Sequence, residues 1–439
     1  MKKVIAIIFC LLAAPAPAQE AELAAALKDA AEEEVREPNA ERFSAWLADF
    51  KAKAKKKHKI SESTIEAAFR NAKYEPKVIE ADRRQPEFVR TFWSYYDSAL
   101  SQDRIANGRL MMERHAKLLD TVSKKYNVQP HVLVAFWGME TNYGHNLGSY
   151  DVISALATLS FDERRSEFFT DELVAALKIL DAGHIKPADF KGSWAGAFGN
   201  FQFLPTTFLR HGVDGDGDGR IDVFGSAADS LASAANYLSK MGWDGRFKWG
   251  RPAVFARGDM NAWRHVNSGE YKPLDFFSSI GVKAWGGGAL PRGKIDASLV
   301  APGGADGPAF VVYGNFKYIM KWNASSNYAI AVGLLSDTFV SKTMPVFARP
   351  SGWDSAKTLS SDQVREIQAR LEKLGLYDSK ISGIYGRKTA KAIKDYQQML
   401  LDGNKKVSRG GAPISKYKSG KPVIPDGYPS ADLYEILTR

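Results

Sequence analysis

A glutamate at the end of an aromatic, apolar stretch is the residue with the clearest chemical potential in this sequence. Glu140 lies in Pro130-His-Val-Leu-Val-Ala-Phe-Trp-Gly-Met-Glu140-Thr-Asn-Tyr-Gly144. Pro130 suits the first turn of a helix and Gly144 its exit, which predicts a helix with Glu140 close to the C-terminal end. Phe136 and Trp137 precede the acid by four and three residues, on nearly the same face. Apolar burial and the negative end of the helix dipole both disfavour a carboxylate there, so the pKa is expected to rise. A carboxylic acid still protonated near neutral pH is what cleavage of a glycosidic bond requires, because the leaving oxygen must receive a proton. A surface glutamate capped by Thr141 or Asn142 fits the segment equally well when it is taken alone.

A second stretch, Ser193-Trp-Ala-Gly-Ala-Phe-Gly-Asn-Phe-Gln202-Phe-Leu-Pro205, is rich in glycine and aromatic residues, with Ser193 and Gln202 as isolated polar groups. It suits a groove wall where backbone approaches a ligand closely; local capping is the alternative role for both residues. A third, Asp214-Gly-Asp216-Gly-Asp218-Gly219-Arg220-Ile-Asp222, places acids at positions 1, 3, 5 and 9 of a calcium-type loop, with glycine at 6. Four carboxylates this close repel one another without a cation, and Arg220 would ligate through its backbone carbonyl. Position 12 breaks the pattern, since Gly225 stands where a bidentate glutamate is expected. Affinity should suffer, or another ligand must step in.

The Trp137-to-Gly144 run, the Ser193-to-Pro205 run and Lys321-Trp-Asn-Ala-Ser-Ser-Asn-Tyr-Ala-Ile-Ala-Val-Gly333, taken together, resemble the membrane-bound lytic murein transglycosylase B family over roughly Phe43 to Asp337. The resemblance implies a lysozyme-like α-domain with a deep groove and one catalytic carboxylate, matched by Glu140. It also implies substrate contacts at Ser193, Gln202, Tyr237, Asn323 and Tyr328, and a calcium or sodium site at the aspartate loop. Trp322 stands where some members carry tyrosine, so a hydroxyl contact is lost while ring stacking is retained; Phe198 stands where methionine is common. Retaining and inverting glycosidases ordinarily use two carboxylates, and no second acid accompanies Glu140 in these motifs. The implied reaction therefore draws its nucleophile from the substrate: the muramyl C6 hydroxyl closes a 1,6-anhydro ring. Asp151, Asp162 and Glu163 read as caps and surface charges. A lysozyme-type hydrolase using the same glutamate, or a silent wall-binding scaffold, are the rival readings.

The elements that must hold these residues read as mainly α, a lobed catalytic domain over residues 43–345. Ile65, Ala68 and Phe69 fit helical spacing, and Met111, His115, Leu118, Leu119 and Val122 continue it. Strand signals are few, with Phe310 to Tyr313 the clearest. Residues 346–358 form a Pro/Gly/Ser/Asp-rich linker. Residues 359–439 carry two amphipathic helix patterns and a closing helix that resemble the small three-helix peptidoglycan-binding domain, which would tether the enzyme to its insoluble substrate. That pattern is interrupted from Leu401 to Pro425 by a basic insert, read equally well as a wall-contacting loop or a solvated one.

At the N-terminus, Lys2 and Lys3, an apolar run from Val4 to Ala14 and Ala16-Pro17-Ala18 make a secretory leader over residues 1–18, followed by an Ala/Glu-rich segment at 19–42. No later stretch supplies about 18 uninterrupted apolar residues, so no transmembrane segment is expected in the mature form. Cys10, the sole cysteine, falls in the leader, which excludes disulfides, thiolate nucleophiles and cysteine-ligated zinc from the mature chain. The chain of 439 residues has a formal charge of +10, and loss of Lys2 and Lys3 leaves +8. An exported, periplasmic basic protein suits an anionic polymer such as peptidoglycan strands; nucleic acid is not expected, for want of any recognised binding motif. Other cell-wall enzymes remain open as partners, and no organic cofactor is expected.

Overall fold

The computed structural model describes residues 39–84, 91–341, 343, 345–349, 359–407 and 412–438. The leader at 1–18, the Ala/Glu-rich segment up to residue 38 and the linker from 350 to 358 lie outside the described residues. Two compact units emerge, and neither is continuous in sequence: residues up to Glu80 with Ser149–Gly196, and Ala81–Gly148 with Ala197 onward.

In the first unit, a helix at 39–56 and helices Glu62–Phe69, Val152–Phe161 and Ser166–Asp181 enclose an apolar core. Ile65, Ala68 and Phe69 are the buried face of Glu62–Phe69. Ser61 caps that helix by accepting from the Thr64 amide, and Asp181 gathers the Ser61 and Thr64 hydroxyls at 2.5 and 2.7 Å. Val152–Phe161 is buried along nearly its whole length and is N-capped by Asp151, whose carboxylate accepts from the Ser154 amide at 2.8 Å. Asp162 is its C-cap and Glu163 is exposed. Two short strands, β1 (Tyr150–Asp151) and β2 (Lys191–Gly192), pair antiparallel.

The second unit is built around Pro130–Thr141. Val132 through Gly138 are all buried, so this helix is apolar on every side and must be enclosed by others. Ser326–Val340 packs along it most extensively, with Gln102–Arg114 and Ala116–Tyr126 also in contact. Those last two are separate helices, interrupted at His115, where the sequence pattern suggested continuity. Leu119 and Val122 are buried; Met111 is only half-buried.

A five-stranded sheet follows, formed by β3 (Gly250–Val254), β4 (Lys272–Pro273), β5 (Lys283–Ala284), β6 (Asp296–Val300) and β7 (Ala309–Tyr313) in the order β4-β6-β7-β3-β5. All neighbours are antiparallel, with Ser298 opposite Val312 and Val300 opposite Phe310. β7 contains the clearest of the few strand signals in the sequence.

The C-terminal module has its own core, with Ile367, Leu371, Ile393, Tyr396, Leu400 and Leu433 from helices Ser361–Lys373, Arg387–Leu401 and Ala431–Leu437. Within this unit the module is docked, not merely tethered. Ile424 is buried in the apolar cluster of the sheet region. Lys394 donates from Nζ to the carbonyls of Arg264 and Val266 at 2.7 and 2.6 Å, and desolvation lowers its pKa to about 8. Asn267 donates from Nδ2 to the Asp426 carbonyl at 3.0 Å, while Asp426 accepts from the Ala305 amide at 2.9 Å. In the described part of the basic insert Val423 joins the module core and Ile414 packs against it, its amide donating to the Leu400 carbonyl at 2.8 Å, while Lys405, Lys406, Lys416, Lys418 and Lys421 are exposed.

Candidate active site

Glu140 occupies the last turn of Pro130–Thr141, whose first helical residue is Pro130. The chain leaves the helix through three successive left-handed residues, Asn142, Tyr143 and Gly144, at φ of 50, 61 and 88°. This abrupt exit ends the helix just beyond the acid. Gly144 is required there twice over, by its positive φ and because a Cβ would approach Asn200 Oδ1 to 2.8 Å.

Two donors reach the carboxyl group from one helical hairpin. Trp322 ends helix Phe316–Trp322, and its indole Nε1 donates to Glu140 Oε1 at 2.8 Å. Tyr328, in the first turn of Ser326–Val340, donates its hydroxyl to the same oxygen. Asn323 and Ser325 shape the connection: Asn323 Oδ1 accepts from the Ser325 amide at 3.1 Å, and Ser325 Oγ accepts from the Tyr328 amide. Phe136, one helical turn before Glu140, lies 4.6 Å from the Trp322 ring.

Burial is the dominant influence on Glu140 and lifts its pKa from an ordinary 4.5 to about 7, with the Tyr328 and Trp322 hydrogen bonds working in the opposite direction. No charged group contributes to the shift. An oxygen that already accepts two hydrogen bonds is poorly placed to bear the proton, so the acid's hydrogen belongs on Oε2. Tyr328 is held far above its usual pKa by burial and by the neighbouring carboxylate, which keeps it a neutral donor.

The structure thus departs from the expectation at Trp322. The indole N–H of Trp322 makes a polar contact of its own, to Glu140, which the expectation of ring stacking alone did not include. Ring contacts are present as well: Trp322 lies 5.0 Å from Tyr237 with the planes tilted by 42°, and Tyr237 lies 4.7 Å from His211 at 34°. Gln202 adopts φ 48°, outside the usual range for a non-glycine residue, and its Nε2 donates to the carbonyls of Leu147 and Gly199 at 3.2 and 3.1 Å. Ser193 belongs to the first unit, half-buried, with its Oγ accepting from the Ala195 amide at 3.3 Å. Phe198 is fully buried against Phe208 and Phe224.

One organising residue escaped sequence reasoning. Asn200 accepts from the Trp137 indole at 2.8 Å, donates to the carbonyls of Val223 and Phe224, and receives Thr141 Oγ1 on its own carbonyl at 2.8 Å. It ties the turn carrying Glu140 to the loop before Pro205. The preceding Gly199 has φ 72°, and a Cβ there would meet Val223 at 2.6 Å. A buried asparagine between glycine and phenylalanine was the only available signal.

The aspartate loop also differs from its expected ligand set. Asp214 and Asp216 converge with Asp229, their candidate ligand atoms lying within 4.8 Å of one another. Asp229 is 1% exposed, in the first turn of helix Ala227–Met241, and accepts from the Gly215 and Asp222 amides. Asp218 turns to the Arg220 amide, and Asp222 to the amides of Phe224 and Gly225. A Cβ at Gly225 would approach Asp222 Oδ2 to 2.8 Å. Three hard carboxylates, one deeply buried, fit a calcium-type ion.

A helical scaffold presenting a half-buried glutamate of raised pKa in an aromatic setting fits a class of enzyme that acts on glycan strands. The chain belongs to the transglycosylase SLT domain family, whose pattern covers residues 42–337, and residues 360–400 match a peptidoglycan binding domain. Membrane-bound lytic murein transglycosylase B of Escherichia coli K12 is 31% identical over 242 residues, 54% of this chain and 64% of that protein, so the chain spans just under two thirds of this relative. SltB3 from Pseudomonas aeruginosa, solved in complex with NAG-anhNAM-pentapeptide, superposes with a TM-score of 0.79 and 39% identity over 90% of this chain and 99% of that one. The Escherichia coli lytic transglycosylase Slt35, solved in complex with calcium, matches with a TM-score of 0.59 and 26% identity over 67% of this chain and 92% of that one.

Proposed function

We propose that this chain is an exported, periplasmic lytic transglycosylase that cleaves the β-1,4 bond between N-acetylmuramic acid and N-acetylglucosamine in peptidoglycan and leaves 1,6-anhydromuramyl ends. One arrangement carries the reading: Glu140 ends a buried helix beside Phe136 and Trp322, Trp322 and Tyr328 both donate to its Oε1, and burial lifts its pKa to about 7. Glu140 Oε2–H protonates the bridging oxygen as the bond to C1 breaks, and the departing sugar leaves as an alcohol. Glu140, now a carboxylate, takes the C6 hydroxyl proton as O6 closes on C1. The acid is restored and no water is consumed. SltB3 has been solved with an anhydro-muramyl ligand, which supports this product. Gln202, Tyr237, Trp322, Asn323, Tyr328 and Ser193 are the residues assigned to hold the strand.

Mass analysis of fragments released from purified peptidoglycan tests the reading. Anhydro ends, lighter by one water than reducing ends, are the expected product. Reducing ends would transfer the same glutamate to a lysozyme-type hydrolysis, and no release would leave only a wall-binding scaffold.

The aspartate loop is proposed to hold a structural calcium ion through Asp214, Asp216 and Asp229, with Slt35 as the supporting relative. An ion at one hundred times its dissociation constant stabilises the fold by about 2.7 kcal/mol. Melting in excess calcium is therefore expected several degrees above melting in chelator, and Asp229→Ala should remove the difference. An unchanged midpoint in the native protein would dismiss the metal.

A further inference from the structure

The turn that carries Glu140 is braced by a buried side chain whose other end is fixed to the aspartate loop. Helix Pro130–Thr141 is followed by two consecutive non-glycine residues of positive φ, Asn142 and Tyr143. Backbone of that kind persists only where its surroundings hold it. Thr141 supplies one hold, since its Oγ1 accepts from the Gly144 amide at 3.0 Å and donates to the Asn200 carbonyl at 2.8 Å. Trp137, one turn before Thr141, supplies another by donating its indole N–H to Asn200 Oδ1 at 2.8 Å. Both holds end on Asn200, which is 4% exposed.

An indole N–H only donates, so Asn200 turns its side-chain oxygen to Trp137 and its NH2 group the other way. That group meets the carbonyls of Val223 and Phe224 at 3.0 and 2.9 Å and Ser230 Oγ at 3.2 Å. The Val223 carbonyl also accepts from the Asn200 backbone amide at 2.9 Å and from Ser230 Oγ at 3.0 Å. Val223 and Phe224 follow directly on Asp222, whose amide donates to the buried Asp229 carboxylate at 2.6 Å. Asp229 is the member of the carboxylate cluster with Asp214 and Asp216 that lies on helix Ala227–Met241, next to Ser230. A continuous run of hydrogen bonds therefore joins the cluster to the turn of Glu140. Few side chains can serve both ends of it: an aspartate at 200 has no hydrogen for the two carbonyls, and a leucine has no acceptor for the indole.

We propose that Asn200 is a positioning residue for Glu140, and that through it the aspartate loop, closed on its cation, keeps the acid shielded from water. On the reading of Glu140 as the acid, on which this brace depends, the consequence has a definite sign. Carboxylates without a cation between them repel one another, and Asp229 is the one whose displacement reaches residues 222–224. Slack there passes to Asn200 and from it to Thr141 and Trp137, so the turn loosens and water reaches the carboxyl group. Burial is what lifts the pKa of Glu140, and among the described residues Tyr328 is the titratable group acting on it; admitted water therefore lowers the pKa from about 7 toward 4.5.

The test is a double-mutant cycle read by thermal melting at pH 8, where Glu140→Gln removes the cost of ionising a shielded carboxyl group. In excess calcium that substitution is expected to raise the midpoint of the native protein, and in Asn200→Ala protein the rise should shrink to roughly half or less. Trp137→Phe, which takes away the N–H that Asn200 accepts, is a milder second variant and should shrink the rise in the same way. Chelator should shrink it in native protein and leave it unchanged in Asn200→Ala protein, where the link is already cut. The alkaline limb of the pH–rate profile on peptidoglycan should move to lower pH in both variants. A residue that merely supports the fold lowers every midpoint but leaves the rise and the limb where they were, and that result would overturn the proposal. So would a chelator effect of equal size with and without Asn200. A full rise in every background dismisses the brace and leaves the acid standing, whereas no rise even in native protein dismisses the shielded acid and the brace with it.

Discussion

Glu140→Gln protein is expected to lose roughly 10²–10⁴-fold of its fragment-releasing activity, the range a general acid/base supplies, while sedimenting with peptidoglycan as the native protein does. The amide keeps the shape of the side chain and can accept the Trp322 and Tyr328 hydrogen bonds, but it has no transferable proton near neutral pH. The same substitution has a thermodynamic signature that catalysis cannot mimic. Below about pH 4.5 Glu140 is protonated in folded and unfolded chains and adds nothing to the pH dependence. Between 4.5 and 7 the unfolded chain gives up its proton while the folded chain keeps it, so native stability falls as pH rises. Above 7 the full cost is present, about 3 kcal/mol at 1.36 kcal/mol per unit. The amide of the variant carries no such cost. Thermal melts of the variant should therefore exceed the native midpoint at pH 8 and coincide with it near pH 4. Coincidence at pH 8 would mean that Glu140 is not held neutral, and the proposed chemistry would go with it.

The legible and illegible parts of this site divide along a physical line. Pro130, Gly144 and the apolar run between them are local signals, and they placed Glu140 on the last turn of a buried helix with the right direction of pKa shift. What the sequence concealed was long-range. The groups that engage Glu140 come from 182 and 188 residues away, and the indole N–H of Trp322 was discounted because stacking is the more obvious use of a tryptophan ring. Asp229 escaped for a similar reason: it reads as a helix N-terminal acid after Ser226, which it also is, and only the folded loop brings it to Asp214 and Asp216. In the sheet, β3 contains Gly250 and Pro252 and β6 has Asp296 and Ser298, residues of weak strand preference. Their pairing is fixed instead by Phe310 to Tyr313 at the centre, the segment whose composition announced a strand most clearly. Docking of the module rests on Lys394 and Asp426, charged residues that sequence patterning assigns to solvent.

Removal of the Tyr328 hydroxyl separates orientation from acidity. Tyr328→Phe keeps the ring beside Phe136 but deletes a donor to Oε1. That hydrogen bond favours the carboxylate, so its loss should push the Glu140 pKa above 7, and the alkaline limb of the pH–rate profile should move to higher pH. The proton would then be more available at pH 8 than in the native enzyme. Activity is nonetheless expected to fall by about 10²-fold, since a carboxyl held by one donor can turn and carry Oε2 away from the bridging oxygen, and small misplacements cost that much. Trp322→Phe should behave alike, whereas Trp322→Tyr offers a hydroxyl in place of the indole N–H and should recover part of the loss. A slower enzyme with a profile displaced upward is the combination that a purely structural role for these rings does not produce. A limb displaced downward would show that the two donors do not engage the ionised form of Glu140, and that something other than Trp322 and Tyr328 fixes which oxygen carries the proton.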